Sequence, residues 1–390
     1  MISLRRHRVA ALVALAGLLA VTAIASAAIS GGGPTPRPAP LAVAVHRALT
    51  APAVPGVTAR IRFTNRLVSS GALPEGVSSP LISGATGRAW VTDDGRFRLE
   101  LQSDRGDAQI VSDGKAVTVF DAKSNTVYTA TLPPGKEPHK AEKHHGPPSL
   151  AAIRRGLAKL AREANLSGAR PTNVAGQPAY SVSVSPKHDG GLLGALSLAW
   201  DAAHGTPLRV ALTAQGSDQP VLELEATDIS YGTVPGSALT PPSPPGAKHQ
   251  RVRLGSSAMG RHAGRRERGH AVHGARAVRA RLGDALRAPK TLVGLPRQEV
   301  RLVSEDGKAP RALVLYGHGL GGIAVLEERD SGKPSEQLDQ LPKVSVDGAT
   351  GHELSTALGT VLTWRESGAR YTLVGSLPAA AAETAARDLR

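Results

Sequence analysis

The feature that most constrains this fold is a strict two-residue alternation of polar and apolar side chains. Arg96-Phe97-Arg98-Leu99-Glu100-Leu101-Gln102 alternates without a break. A helix cannot gather such a pattern on one side, whereas a strand with one wet and one dry face does so automatically. Turn residues bracket the run, Asp93-Asp94-Gly95 before it and Asp104-Arg105-Gly106-Asp107 after it. Asp113-Gly114 then separates Ala108–Val111 from Ala116–Phe120, and Lys123-Ser124-Asn125 precedes Thr126–Thr131. Short strands joined by tight turns predict an antiparallel meander.

The period changes twice around this meander. Leu41, Val45, Ala48 and Leu49 share one side of a short helix that stops before Pro52. After a Pro-rich break at 133–148 carrying His139, His144 and His145, Ser149 is placed to cap a second helix. Leu150, Ile153, Leu157, Leu160 and Ala164 recur at spacings of three and four through 149–165. Period two then resumes in Tyr180/Val182/Val184, Leu196/Leu198/Trp200, Leu208/Val210/Leu212 and Leu222/Leu224. Each strand leaves a dry face that something must cover. The economical solution is a strongly curved antiparallel sheet, an open half-barrel wrapped around helices, with the 149–165 helix as its plug.

Charge is unevenly distributed. The net charge is +15, with +10 of it between Lys248 and Lys290, where twelve Lys/Arg oppose Glu267 and Asp284. Removing that +10 and the +3 of Arg5, Arg6 and Arg8 leaves +2 for the rest, which argues against nucleic acid as the partner of the folded parts. The first 28 residues have a secretory layout: a positive start, an apolar run from Val9 to Ile24, and Ala25-Ser26-Ala27. They are read as a signal peptide or an N-terminal membrane anchor. Either places the remainder outside the cytoplasm, secreted or held at the outer face of the membrane. A Pro/Gly spacer at 29–40 follows. The chain has no cysteine, so disulfides, Cys-ligated metals, thiol nucleophiles and a lipidated Cys are all excluded.

Beyond Pro241-Pro242-Ser243-Pro244-Pro245-Gly246, residues 247–290 are rich in Arg, Ala, Gly and His. They read as a basic disordered linker suited to an anionic membrane surface. Strand patterns return in 291–390 at Val300–Val303, Ala312–Tyr316, Ile323–Leu326, Leu341–Val346, Val361–Arg365 and Tyr371–Gly375, with a closing helix from Pro378. This predicts a second, small α+β domain. Gly317-His318-Gly319-Leu320-Gly321-Gly322 matches a dinucleotide-binding glycine pattern, but a strand follows where that site needs a helix. It reads as a hairpin turn. Nucleophile, base and orienter cannot be assembled, so no enzyme, metal or cofactor is expected.

Several segments together resemble the central strands of the LolA/RseB-like, outer-membrane lipoprotein carrier-like superfamily. They are Gly87-Arg88-Ala89-Trp90, Gly95–Leu99, Ile110–Lys115, Phe120-Asp121 and Asn125–Tyr128. Val174–Tyr180, Trp200-Asp201 and Thr206–Leu208 are similar to its actinobacterial members, over 41–246 in all. The Trp364 and Tyr371–Gly375 segments are similar to a small envelope-associated domain of unknown function. The resemblance implies a non-enzymatic protein that binds lipid or acylated ligands in an apolar cleft, carrier- or sensor-like. The alternative is an envelope-stress regulatory module binding a membrane protein such as an anti-sigma factor. Inward-facing candidates for the cleft are Phe97, Leu99, Leu101, Val117, Val119, Tyr180, Val182 and Leu198.

Overall fold

The computed structural model describes residues 33–68, 80–132, 147–187, 191–252, 272–303, 309–318, 321–332 and 341–389. The leader and the densest basic stretch, 253–271, lie outside these residues. None of the described helices is long and apolar enough to cross a membrane.

The first part runs α1 (Leu41–Thr50), β1 (Gly56–Asn65), α2 (Pro80–Ser83), β2 (Ala85–Thr92), β3 (Phe97–Ser103), β4 (Gly106–Ser112), β5 (Ala116–Asp121) and β6 (Thr126–Thr131). It continues with α3 (Leu150–Glu163), β7 (Ala164–Leu166), β8 (Arg170–Val174), β9 (Gln177–Pro186), β10 (Leu193–Asp201), β11 (Pro207–Ala214) and β12 (Pro220–Tyr231). After the 3₁₀ turn Gly236–Leu239 comes β13 (Lys248–Val252). These strands form one 13-stranded sheet in the order β13-β6-β5-β4-β3-β2-β1-β12-β11-β10-β9-β7, with β8 also paired to β9. All its pairs are antiparallel except β13 beside β6. The predicted meander is β3 to β6, and β1 joins its far side to the returning β12.

The sheet is curved. Ala175, in the turn before β9, packs into the cluster of Ala59, Ile61, Leu101, Ala108 and Ala226, although β10 and β11 lie between β9 and β12. At the usual ~4.8 Å per strand a flat sheet would hold these groups far apart. Ladder shifts at Arg60/Ile61, Leu193/Ala195 and Ala199/Trp200 supply bends. Gly87 supplies another: a Cβ there would lie 1.7 Å from the Glu100 carbonyl oxygen, so only glycine permits β2 and β3 to approach so closely.

The second part contains α4 (Ala275–Leu282), the 3₁₀ turn Gly283–Ala285, β14 (Thr291–Leu292), β15 (Leu295–Val303), β16 (Arg311–Tyr316), β17 (Ile323–Arg329), β18 (Lys343–Val346), β19 (Ala349–Thr356), β20 (Gly359–Glu366), β21 (Ala369–Gly375) and α5 (Ala379–Asp388). Its antiparallel sheet has the order β14-β15-β16-β17-β21-β20-β19-β18. Val278, Leu282, Leu286, Ala382 and Leu389 from the helical segments join Val314, Val325, Leu362 and Leu373 from the strands in one core. The fold is therefore α+β, with two sheets and few helices among the described residues.

Two expectations need correction. The 247–290 stretch is not a disordered linker at its ends. Lys248–Val252 is a strand, and Val278, Leu282, Ala285, Leu286 and Ala288 are core residues of the second sheet. Val278, Leu282 and Leu286 do recur at helical spacing, but helix α4 is only eight residues long and Arg276, Arg279 and Arg281 dominate it, so its low apolar content reads as linker until tertiary burial is seen. The 149–165 helix is likewise not the plug. Its cap is as expected, the Ala152 N–H donating to Ser149 Oγ at 3.2 Å. The helix, however, rests on α1 and β7, and it is α1 that seats on the sheet.

Candidate functional site

Residues directly opposite each other in neighbouring strands point to the same side of a sheet. The register therefore defines continuous rows on one face. One runs Tyr128–Val119–Ile110–Leu99–Ala89–Ala59–Ile229 from β6 to β12. A second, beside it, runs Ala130–Val117–Ser112–Phe97–Val91–Val57–Tyr231. A third runs Ala85–Phe63–Leu224–Val210–Leu198–Val182 from β2 to β9. All eight candidate residues lie on this face, which also carries α1 and α2, and is the inner one.

The face is divided by what covers it. Over β9 and β10, Ala44 and Ala48 of α1 are buried against Tyr180 and Trp200, with Leu41, Val45, Val182 and Leu198 around them. Ala44 is 1% exposed: small side chains let the helix backbone sit close on the two rings. The Tyr180 hydroxyl donates to the Arg37 carbonyl at 2.6 Å, tying down the segment that leads into α1. Tyr180 is therefore buried core, and the half-buried Val182 and Leu198 pack against that cluster. Near β1, Leu81 of α2 packs with Leu101 and Ala108, and Leu101 is only 1% exposed.

The remaining four candidates, Phe97, Leu99, Val117 and Val119, lie together on β3 and β5 and are half-buried, Leu99 packing against the cluster of Ala59, Ile61 and Leu101. Sequence reasoning missed the half-buried Val57, Ala89, Ile110 and Tyr128, and Val91, which is 41% exposed. A signal existed for Ile110. It follows Gln109 in the right phase, but Val111 beside it blurs the alternation. Val111 is fully buried on the opposite face. There the segment after β12 crosses back over β3, where Arg98 donates to the Thr240 carbonyl at 3.1 Å, and continues as β13 along β6.

The electrostatics of the two faces differ. The outer face carries the ion pairs Arg98–Glu100 at 2.6 Å, Arg209–Glu223 at 2.6 Å and Arg62–Glu225 at 3.7 Å. Desolvation and the neighbouring Glu223 raise the Glu225 carboxyl, with Arg209 and Arg62 opposing. The rows of the inner face are apolar apart from Ser112 and ring hydroxyls. At their end Asp201 is 1% exposed and accepts from Tyr231 Oη at 2.7 Å and from the Ala203 and His204 N–H groups. Burial works against its charge, but these hydrogen bonds outweigh it and hold the carboxyl below its usual range. That geometry is a side-chain-capped turn joining β10 to β11, tied to β12 through Tyr231. Among the described residues no group of three or more His, Cys, Asp or Glu could hold a metal ion. What the rows that the described residues leave half-buried can do chemically is remove apolar surface from water.

No family model matches the chain, and no curated protein does. Solved structures do. MucB in complex with MucA(peri) matches 89% of this chain and 94% of its own at 18% identity, with a TM-score of 0.41. An uncharacterized conserved protein from Thermus thermophilus matches 54% of this chain and 97% of its own at 12% identity, TM-score 0.33. A LolA superfamily protein from Nitrosomonas europaea matches 52% and 98% at 10% identity, TM-score 0.20.

Proposed function

We propose that this chain works outside the cytoplasm as a non-enzymatic protein that takes lipid or acylated ligands onto the uncovered part of its inner face, as a carrier or sensor. One observation carries the reading. The rows through Phe97, Leu99, Ile110, Val117 and Val119 are apolar and adjacent, yet only half-buried. α1 covers β9 and β10 instead. A contiguous apolar surface left half-open supports a binding site over a packing defect. The secretory leader at 1–28 and the superfamily resemblance over 41–246, of actinobacterial type, support the location. The 291–390 unit is read as the small second domain.

The test is native mass spectrometry of the purified chain with lipid extraction alongside. The expected result is a copurified acyl lipid that is lost in Val119→Asp and Leu99→Asp, because a buried charge in the cleft opposes an acyl chain. A ligand-free mass, unchanged after incubation with membranes, sinks the reading. With a membrane protein in pulldowns, it would favour the regulatory alternative, a module binding a partner such as an anti-sigma factor.

A further inference from the structure

Helix α3 contributes little to the core. Of its side chains, Ile153 is buried, Leu150 and Leu157 are half-buried, and Leu160 is 43% exposed although it belongs to the apolar side. Around the helix, Ala151, Ala158 and Ala161 are exposed, as are Arg154, Arg155, Lys159 and Arg162. At about 100° per residue Arg155, Lys159 and Arg162 share one side and Arg154 stands between them and the apolar stripe. Among the described residues none of these four cations takes part in an ion pair. Lys187 Nζ donates to the Ala161 carbonyl at 3.2 Å, which brings a fifth cation to the same surface. The helix is thus more amphipathic than its packing requires and carries its unpaired charge on the open side.

We infer that α3 is a docking surface for an anionic lipid bilayer, with Arg154, Arg155, Lys159, Arg162 and Lys187 facing phosphate headgroups and Leu160 entering the interface beside them. Charge complementarity selects the occupant. Clusters of this size on an amphipathic helix are attracted by anionic headgroups within a Debye length, while small alanines let the helix lie close. Low overall hydrophobicity with a polar basic face fits a helix lying on the membrane rather than crossing it. This surface is separate from the apolar rows of the inner face, and the inference does not rest on the ligand reading.

The experiment is vesicle flotation of the chain from Ala28 onward. Vesicles of phosphatidylcholine with phosphatidylglycerol are compared with phosphatidylcholine alone. The protein should float with the anionic vesicles, remain behind with the neutral ones, and detach as salt rises. Arg155→Gln/Lys159→Gln/Arg162→Gln should weaken binding roughly a hundredfold at low salt. Leu160→Ser should weaken it roughly tenfold. These side chains are exposed, so circular dichroism should show unchanged folding. Val119→Asp should float as the parent does, which separates this surface from the ligand face. Two outcomes overturn the inference: the triple variant floating like the parent while Arg261→Gln/Arg265→Gln/Arg266→Gln does not, or the chain binding a phosphate-rich wall polymer but no anionic vesicle.

Discussion

Glu327 has no exposed surface, yet it sits in a strand of an apolar core. Its carboxylate accepts the N–H of Arg287 at 2.6 Å and of Ala288 at 3.2 Å, latching the loop after α4 onto β17. Desolvation raises its carboxyl from 4.5 to about 7, the two backbone hydrogen bonds and the more distant Arg287 and Arg279 opposing. A folded value above the unfolded one means that the folded state holds the proton more tightly. The stabilisation is therefore complete below pH 4.5 and is lost as pH rises through about 7. At about 1.36 kcal/mol per pH unit the change is about 3 kcal/mol. Urea titrations between these limits should show stability falling with pH, and Glu327→Gln should flatten the profile. A parent profile equally flat across that range would refute the assignment. The reason sequence reading passes over this residue is simple: Glu327-Glu328-Arg329 reads as a polar strand end, and nothing local shows that the first glutamate faces a core.

At the scale of elements, alternation and caps were the informative signals. Phe97–Ser103, Ala116–Asp121 and Thr126–Thr131 lie where period two and the turn residues put them. Ser149 caps α3 as its position suggested, and Ser149→Ala should cost about 1 kcal/mol, read as a shift in the urea midpoint at constant slope. The packing partner of α3 is not legible in its sequence, because its apolar stripe has the same form whether it meets a sheet, another helix or a membrane. The weaker-looking α1 takes the sheet because its Ala44 and Ala48 fit against Tyr180 and Trp200. Ala44→Asp should place an unpaired charge there and cost several kcal/mol, on the order of 3. Loss of near-ultraviolet dichroism from Trp200 at lower urea would report it. A midpoint unchanged from the parent would mean that α1 is not held on the rings.

At the scale of the molecule, the two sheets touch through backbone. The Leu192 N–H donates to the Ser376 carbonyl at 2.9 Å, and the Ala357 N–H to the Leu67 carbonyl at 2.9 Å. Gly191 makes the first contact possible: its φ is +66°, and a Cβ would lie 1.6 Å from the Ser376 oxygen. Gly191→Ala should part the sheets at this point while leaving each core intact. Small-angle scattering should then show a larger radius of gyration, and limited proteolysis faster cleavage near 187–192. An unchanged scattering curve would mean that the contact does not hold the two parts together.

The chain by itself determined strands β3 to β6 and β9 to β12, the turns between β3 and β6, and which of their side chains share a face, because a period of two leaves no other way to separate polar from apolar groups; it left β1, β8 and β13 unread. All eight candidate residues are on one face for that reason. Only the tertiary structure decided which of them are covered. Register places Leu198 and Val119 on one face in different rows, and which of them lies beside α1 depends on contacts distant in sequence. The same holds for Val278 and Leu282, whose burial by a sheet formed from residues 291–375 cannot be read from their Arg-rich neighbourhood.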